Sequence, residues 1–248
     1  MQAFLVGVVV AAALGMAASS AAAPVAVRFP EGVARAFPVL KNTDGQPLAR
    51  GDLIQVVRGD RVENRLVFRF RDGSLYDETV VFSQQETFRL LAYRIVQRGP
   101  SFPETLEASI DRTTGRYEVR YRADDDSPEE HLTGTFQLPD DAYNGMLGLV
   151  LKNLSRRPET VSVVAFTPRP RVVKLALLPV AEESVTVGGA ALPAVRWHIR
   201  PQLGLFASLL VADIPDMRVW ILPDEAPAFL RAEGPLYLMG PIWRIEPY

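Results

Sequence analysis

The chain contains no cysteine, which excludes disulfides, thiolate metal sites, a cysteine nucleophile and lipid attachment through a lipobox. Histidine is limited to His131 and His198, so a three-histidine zinc site is excluded, and no His-Glu-x-x-His pair exists on any segment. Lysine is confined to Lys41, Lys152 and Lys174, no basic run occurs, and the formal charge is −2. Nucleic acid is therefore not an expected partner. Nearly all positive charge is arginine, which reads as a coding bias rather than as selection for bidentate anion recognition. A Gly-x-Ser-x-Gly elbow, a Ser-x-x-Lys pair, a Walker loop and a dinucleotide fingerprint are all missing.

Charge is also missing locally. No charged side chain occurs between Met1 and Val27, and an apolar stretch from Ala3 to Met16 leads into small residues ending at Ala23-Pro24. The stretch suits the core of an export signal and is shorter than the roughly 20 residues of a spanning anchor. A signal peptide over 1–23 is expected, with cleavage after Ala22 or Ala23. Two features depart from the pattern: no Lys or Arg precedes the apolar run, and Pro24 sits beside the cut. An uncleaved anchor in the inner membrane, facing the periplasm, is the alternative. Export without cysteine suits a bacterial periplasm. About 225 residues then remain, enough to bury roughly 70% of the unfolded surface without staples. They divide into an N-terminal arm over 24–50 and a β-rich domain over 51–248, with a candidate subdomain boundary near 155–159.

From residue 52 onward the hydrophobic period is two. Leu66, Phe68 and Phe70 alternate with Arg65, Arg69 and Arg71; an Asp72-Gly73-Ser74 turn follows, and residues 75–82 return as a partner strand. Residues 116–122 repeat the logic, with Tyr117, Val119 and Tyr121 opposite four charged side chains. Further strands are expected over 52–58, 88–97, 105–111, 131–138, 160–167, 172–179, 184–187, 194–200, 206–212, 218–222 and 236–245. Short turns between successive strands imply a large curved antiparallel sheet, an unclosed or partial barrel, rather than a parallel βαβ fold. One amphipathic helix interrupts it. Asp140 or Asp141 is expected to cap a helix reaching about Leu154, in which Tyr143, Met146, Leu147, Val150, Leu151 and Leu154 share a face. Gly145 and Gly148 each weaken it by up to about 1 kcal/mol, so packing against the sheet must hold it.

No catalytic residue, metal ligand or cofactor site emerges. His198 alternates with Arg196 and Arg200 and reads as a solvated strand residue, and His131 as a charge partner of the acidic loop 124–130. That loop lacks the spacing and glycine of a calcium loop. Asp77 and Glu78 lie on opposite faces of one strand. Aromatic side chains, by contrast, are plentiful in the expected strands, and the ordinary explanation is core packing.

Three phrases resemble an uncharacterised family of exported bacterial β-proteins: Gly99-Pro100-Ser101-Phe102-Pro103, Leu138-Pro139-Asp140-Asp141-Ala142-Tyr143-Asn144-Gly145-Met146, and Gly240-Pro241-Ile242-Trp243-Arg244-Ile245. The resemblance implies location and fold. In architecture alone, many antiparallel strands under one helix are also similar to the periplasmic lipoprotein-localisation carriers.

These readings converge on a non-enzymatic periplasmic protein that binds an apolar ligand such as a lipid or acyl chain between helix and sheet. Its ligand-facing residues would be Phe68, Phe70, Tyr117, Tyr121, Trp197 and Trp220 from the sheet. Tyr143, Met146, Leu147 and Val150 would face them from the helix. Peripheral membrane contact is compatible with that role; no protein partner is identifiable. The alternatives are an envelope interaction protein with a solid core, and a hydrolase whose site is assembled from distant residues. A cavity of several hundred Å³ behind the helix separates the first reading from the second.

Overall fold

The computed structural model describes residues 24–124, 126–202 and 215–247. The expected leader over 1–23 and the strand expected over 206–212 lie outside the described residues. Among the described residues, fifteen strands join one sheet, and every ladder between them is antiparallel.

The N-terminal meander begins with β1 (Ala34–Ala36) and β2 (Pro38–Lys41), which pair side by side along β3 (Pro47–Arg58). It continues in chain order through β4 (Arg61–Phe70), β5 (Leu75–Gln84), β6 (Phe88–Arg98), β7 (Thr105–Asp111), β8 (Arg116–Arg122) and β9 (Glu130–Thr135). A second meander runs through β10 (Glu159–Phe166), β11 (Pro170–Val187), β12 (Ala190–Gln202), β13 (Met217–Leu222), β14 (Ala228–Gly234) and β15 (Trp243–Pro247). The two meet where β15 pairs with β2, Arg244 opposite Lys41 and Ile245 opposite Leu40. First and last strands therefore lie in the middle of the sheet. Strands from the middle of the sequence, β9 and β10, form its two ends, and the sheet does not close.

Alternation places Phe68, Phe70, Tyr76, Val80, Ile95, Ala108, Val119, Leu177, Trp197 and Ile199 on the inner face, where they join one hydrophobic core extending from Val25 to Trp243. Opposite-facing residues of the same strands, such as Arg69 and Arg94, stay exposed, so the expected division into a dry and a wet face holds over much of the sheet, with Val67 and a cluster around Trp220 buried on the outer side.

Several expectations are corrected. The stretch 24–50, read as an arm of weak periodicity, contributes β1, β2 and the start of β3. The segments 172–179 and 184–187 form a single strand, β11, whose irregularity between Pro179 and Ala181 breaks the alternation. Of the strand expected over 236–245, only β15 forms. Leu236 to Gly240 make a turn closed by Gly240 N donating to Tyr237 O at 3.0 Å, and the prolines at 235 and 241 cannot donate to a ladder there. The strand β14 was not expected at all. Finally, the helix is shorter than its periodicity suggests: α1 spans Leu147–Asn153, with Met146 at its N-cap and no side-chain cap. Residues 139–144 spend their hydrogen bonds on the edge of β10 instead. Tyr143 N donates to Ser162 O and Ser162 N to Asp141 O, both at 2.9 Å, while the Asp141 carboxylate accepts from Ser162 Oγ at 2.8 Å rather than capping a helix.

Candidate functional site

Nine of the ten side chains expected to face a ligand belong to, or pack against, the inner core. Phe68, Phe70, Tyr117, Tyr143, Met146, Val150 and Trp197 are buried members, and Tyr121 and Leu147 lie against them. Trp220 is the exception. Val219 and Ile221 point inward, so alternation along β13 turns Trp220 to the outer face. There it packs in a separate cluster with Val185, Ala194 and Leu230, and its indole N–H donates to Glu183 Oε1 at 2.6 Å.

The segment from Tyr143 to Leu151 packs on the inner core. Tyr143 and Val150 have no accessible surface and Met146 retains 2%, while Leu147 and, on β14, Phe229 are half-buried; elsewhere in the same core Leu177 has no accessible surface and Trp197 retains 2%. A side chain without accessible surface borders no space large enough for a water molecule. The segment is also fastened. The Tyr143 hydroxyl accepts from Val25 N at 2.8 Å, and Asn153 Oδ1 at the end of α1 accepts from Arg28 N and Phe29 N at 2.8 and 2.7 Å. Arg112 clamps the segment from below, donating to Leu138 O at 3.0 Å and Pro139 O at 2.7 Å. Gly145 lies so close to β5 that a Cβ there would stand 2.3 Å from Val80 Cγ2, and its φ of +63° favours glycine independently. A Cβ at Gly148 would make only ordinary contact with Phe229.

An inner-face carboxyl lies beneath this segment. Glu78 shares the inward face of β5 with Tyr76 and Val80, while Asp77 turns outward to Arg65, as their alternation implied. Tyr93 on the adjacent strand β6 donates to Glu78 Oε1 at 2.8 Å. Loss of solvent raises the Glu78 pKa, opposed by hydrogen bonds from Tyr93 and Tyr76, and both tyrosines are pushed well above their ordinary value by burial and by Glu78. Asn144 completes the roof: its side chain donates to Val164 O and accepts from Val164 N, both at 2.8 Å. Alternation alone was enough to find Glu78, since it places an acid between Tyr76, Val80 and Phe82.

Two hollows lined by described residues lie on the outer face. The larger, about 670 Å³, is an open trough across β5 to β9 lined by Thr79, Arg94, Ser109, Asp111, Glu118 and Thr133 among others. The smaller, about 420 Å³, lies over β4, β5 and β6 and holds Arg65, Arg69 and Arg98. The histidines stand apart from both centres of the core. His131 Nε2 lies 2.9 Å from Glu118 Oε1 on the neighbouring strand, not from the acidic loop as expected. His198 faces outward opposite Arg218, and burial together with the surrounding arginines lowers its pKa. Among the described residues, no group of three or more acidic or histidine side chains converges as a metal would require, and no helix is long and apolar enough to cross a membrane.

No protein-family model matches the chain, and no curated protein matches it. Among solved structures, the chain is similar to a β-barrel-like protein of the domain of unknown function DUF1849 from Brucella abortus. The alignment covers 91% of this chain and 98% of that one, at 12% identity and a TM-score of 0.45.

Proposed function

We propose that the chain is a non-enzymatic, exported protein of the bacterial cell envelope that acts through its outer surface around a filled interior. The observation that carries this reading is the close packing of the inner core, in which Tyr143, Val150 and Leu177 have no accessible surface. Hollows of about 670 and 420 Å³, within the roughly 300–1,000 Å³ typical of ligand pockets, lie on the outer face. The inner-face carboxyl, Glu78, is half-buried beside Gly145 and accepts from the Tyr93 hydroxyl at 2.8 Å. The uncharged N-terminal sequence supports export.

Burial of a lipid or acyl chain, the reading favoured by sequence, requires α1 and residues 138–146 to withdraw and break the hydrogen bonds to Val25, Arg28, Phe29 and Val164. Native mass spectrometry of the protein purified from an exporting cell, followed by solvent extraction, separates the two. A mass equal to the polypeptide alone, and no uptake of added fatty acid, is the expected result. Co-purifying lipid released only on denaturation overturns it in favour of a carrier.

A further inference from the structure

The outer-face hollow over β4 to β6 has a charge arrangement that the fold itself does not balance. Register places Arg50 of β3 directly opposite Arg69 of β4, Arg69 opposite Leu75 of β5, and Leu75 opposite Arg98 of β6. The three arginines thus form one row across the sheet, all on the same face and all exposed. Like charges directly opposite each other on neighbouring strands are destabilising. Yet among the described residues none of the three has an acidic partner within ion-pair distance.

Three of the neighbouring acids are already engaged, while Asp52, opposite Val67 and two residues from Arg50, lies 3.5 Å from Arg35 and leaves its other carboxylate oxygen without a partner. Asp77 takes a two-pronged hydrogen bond from Arg65, at 2.9 and 2.6 Å. Asp72 accepts from Ser101 Oγ at 2.7 Å and from Ser74 N at 2.9 Å. Glu246, two strands away along the same row, pairs with Lys41 and Arg231.

The hollow is also firmly built. Val67 is buried in its floor and Leu75 lies beside it. Its rim is the turn at Gly73 and Ser74, where Ser74 Oγ accepts from Ser101 N at 2.8 Å and a Cβ on Gly99 would collide with Ser74. Two strand spacings separate Arg69 from Arg98, about 9.5 Å, and the long side chains flank Leu75. An oxyanion above Leu75 lies between two guanidiniums whose planar forks match tetrahedral oxygens, over an apolar floor that strengthens the attraction.

We infer that this hollow is a binding site for a phosphate-type oxyanion, held between Arg69 and Arg98, with Arg50 adding charge from the adjoining strand. The phosphate belongs either to the headgroup of an anionic lipid or to a soluble phosphate compound. The first source rests on the reading of an envelope protein acting through its surface. The site itself rests only on the geometry of β3 to β6.

The test uses the full chain. Co-sedimentation with phosphatidylcholine vesicles containing one-third phosphatidylglycerol is compared with pure phosphatidylcholine vesicles, and inorganic phosphate is titrated while the melting temperature is followed. The double substitution Arg69→Gln/Arg98→Gln should weaken binding at least tenfold and abolish any rise in melting temperature with phosphate. Arg200→Gln, which removes a guanidinium paired with Asp216 elsewhere on the outer face, should leave both unchanged. Arg69→Lys/Arg98→Lys should fall between, because an ammonium keeps charge and loses the fork. Salt-sensitive binding to the anionic vesicles alone identifies a headgroup, and a response to phosphate alone identifies a soluble ligand. Binding to neither, or binding equally strong in the double glutamine variant, overturns the site. Lipid extracted equally from wild type and double variant would sink the filled-interior reading, while the arginine comparison would still decide the site.

Discussion

Glu78 occupies a position on β5 that alternation otherwise gives to Tyr76, Val80 and Phe82, and its consequences follow from linkage. Its ordinary carboxyl pKa is 4.5, and loss of solvent raises it in the folded protein despite hydrogen bonds from Tyr93 and Tyr76. The native state therefore holds this proton to higher pH than the unfolded chain does. Its contribution to stability is fullest below pH 4.5 and falls as pH rises through the interval up to the raised folded value. Glu78→Gln keeps an oxygen for Tyr93 and removes the charge. It should flatten the dependence over that interval and increase stability at neutral pH, as read by urea denaturation at a series of pH values. Asn144 acts in the opposite sense. Its amide satisfies both backbone groups of Val164, so Asn144→Ala should cost about 2–4 kcal/mol in the same measurement, since each buried partner left unsatisfied costs about 1–3 kcal/mol.

Among the elements, α1 depends most on its surroundings. Seven residues are too few to be helical alone in water, and two short-range features fix where it starts. Gly145 at φ +63° turns the chain into it against Val80, and the backbone ahead of it is bound to β10. Gly145→Ala should therefore destabilise the protein by about 1–3 kcal/mol, through a non-glycine residue in a left-handed conformation and a contact that must give way. Leu151→Ala removes a side chain left only 2% exposed and should cost about 2–5 kcal/mol. Thermal melts of the two variants check both. The same segment explains why the two ends of the sheet differ: the bridge between Ala142 and Ser162 covers the outer edge of β10, whereas among the described residues β9 pairs on one side only, with β8.

At the scale of the molecule, the pairing of β15 with β2 joins the two meanders in the sheet. Phe70, Phe102, Tyr237 and Trp243 reinforce that seam as a cluster of aromatic rings, with centroids 5.4 Å apart for Phe70 and Phe102 and again for Phe70 and Trp243. The phrases Gly99 to Pro103 and Gly240 to Ile245 converge here through Phe102 and Trp243, whose ring centroids lie 6.2 Å apart. Trp243→Ala should cost about 3–5 kcal/mol. Hydrogen exchange of that variant should show protection lost on both sides of the seam, in β14 and in β2; loss confined to β14 would mean that the meanders hold independently.

Sequence by itself determined the strands of strong alternation, including 105–111 and 116–122, their turns at Gly73 and Gly115, the antiparallel order and the sidedness of the sheet. These depend on a period of two and on positive φ at glycine, which are local properties. The extent of α1 was not local. Helical spacing continues back to Tyr143, but hydrogen bonds to β10, distant in sequence, outcompete the first turns. Nor was the face of Trp220 legible as a ligand contact, because aromatic character does not say on which side of a sheet a ring falls. The partnership of β15 with β2, the close packing of the inner core, and the row of Arg50, Arg69 and Arg98 were decided by tertiary structure alone. Each depends on register between strands, and register is set where the whole inner face finds its partners.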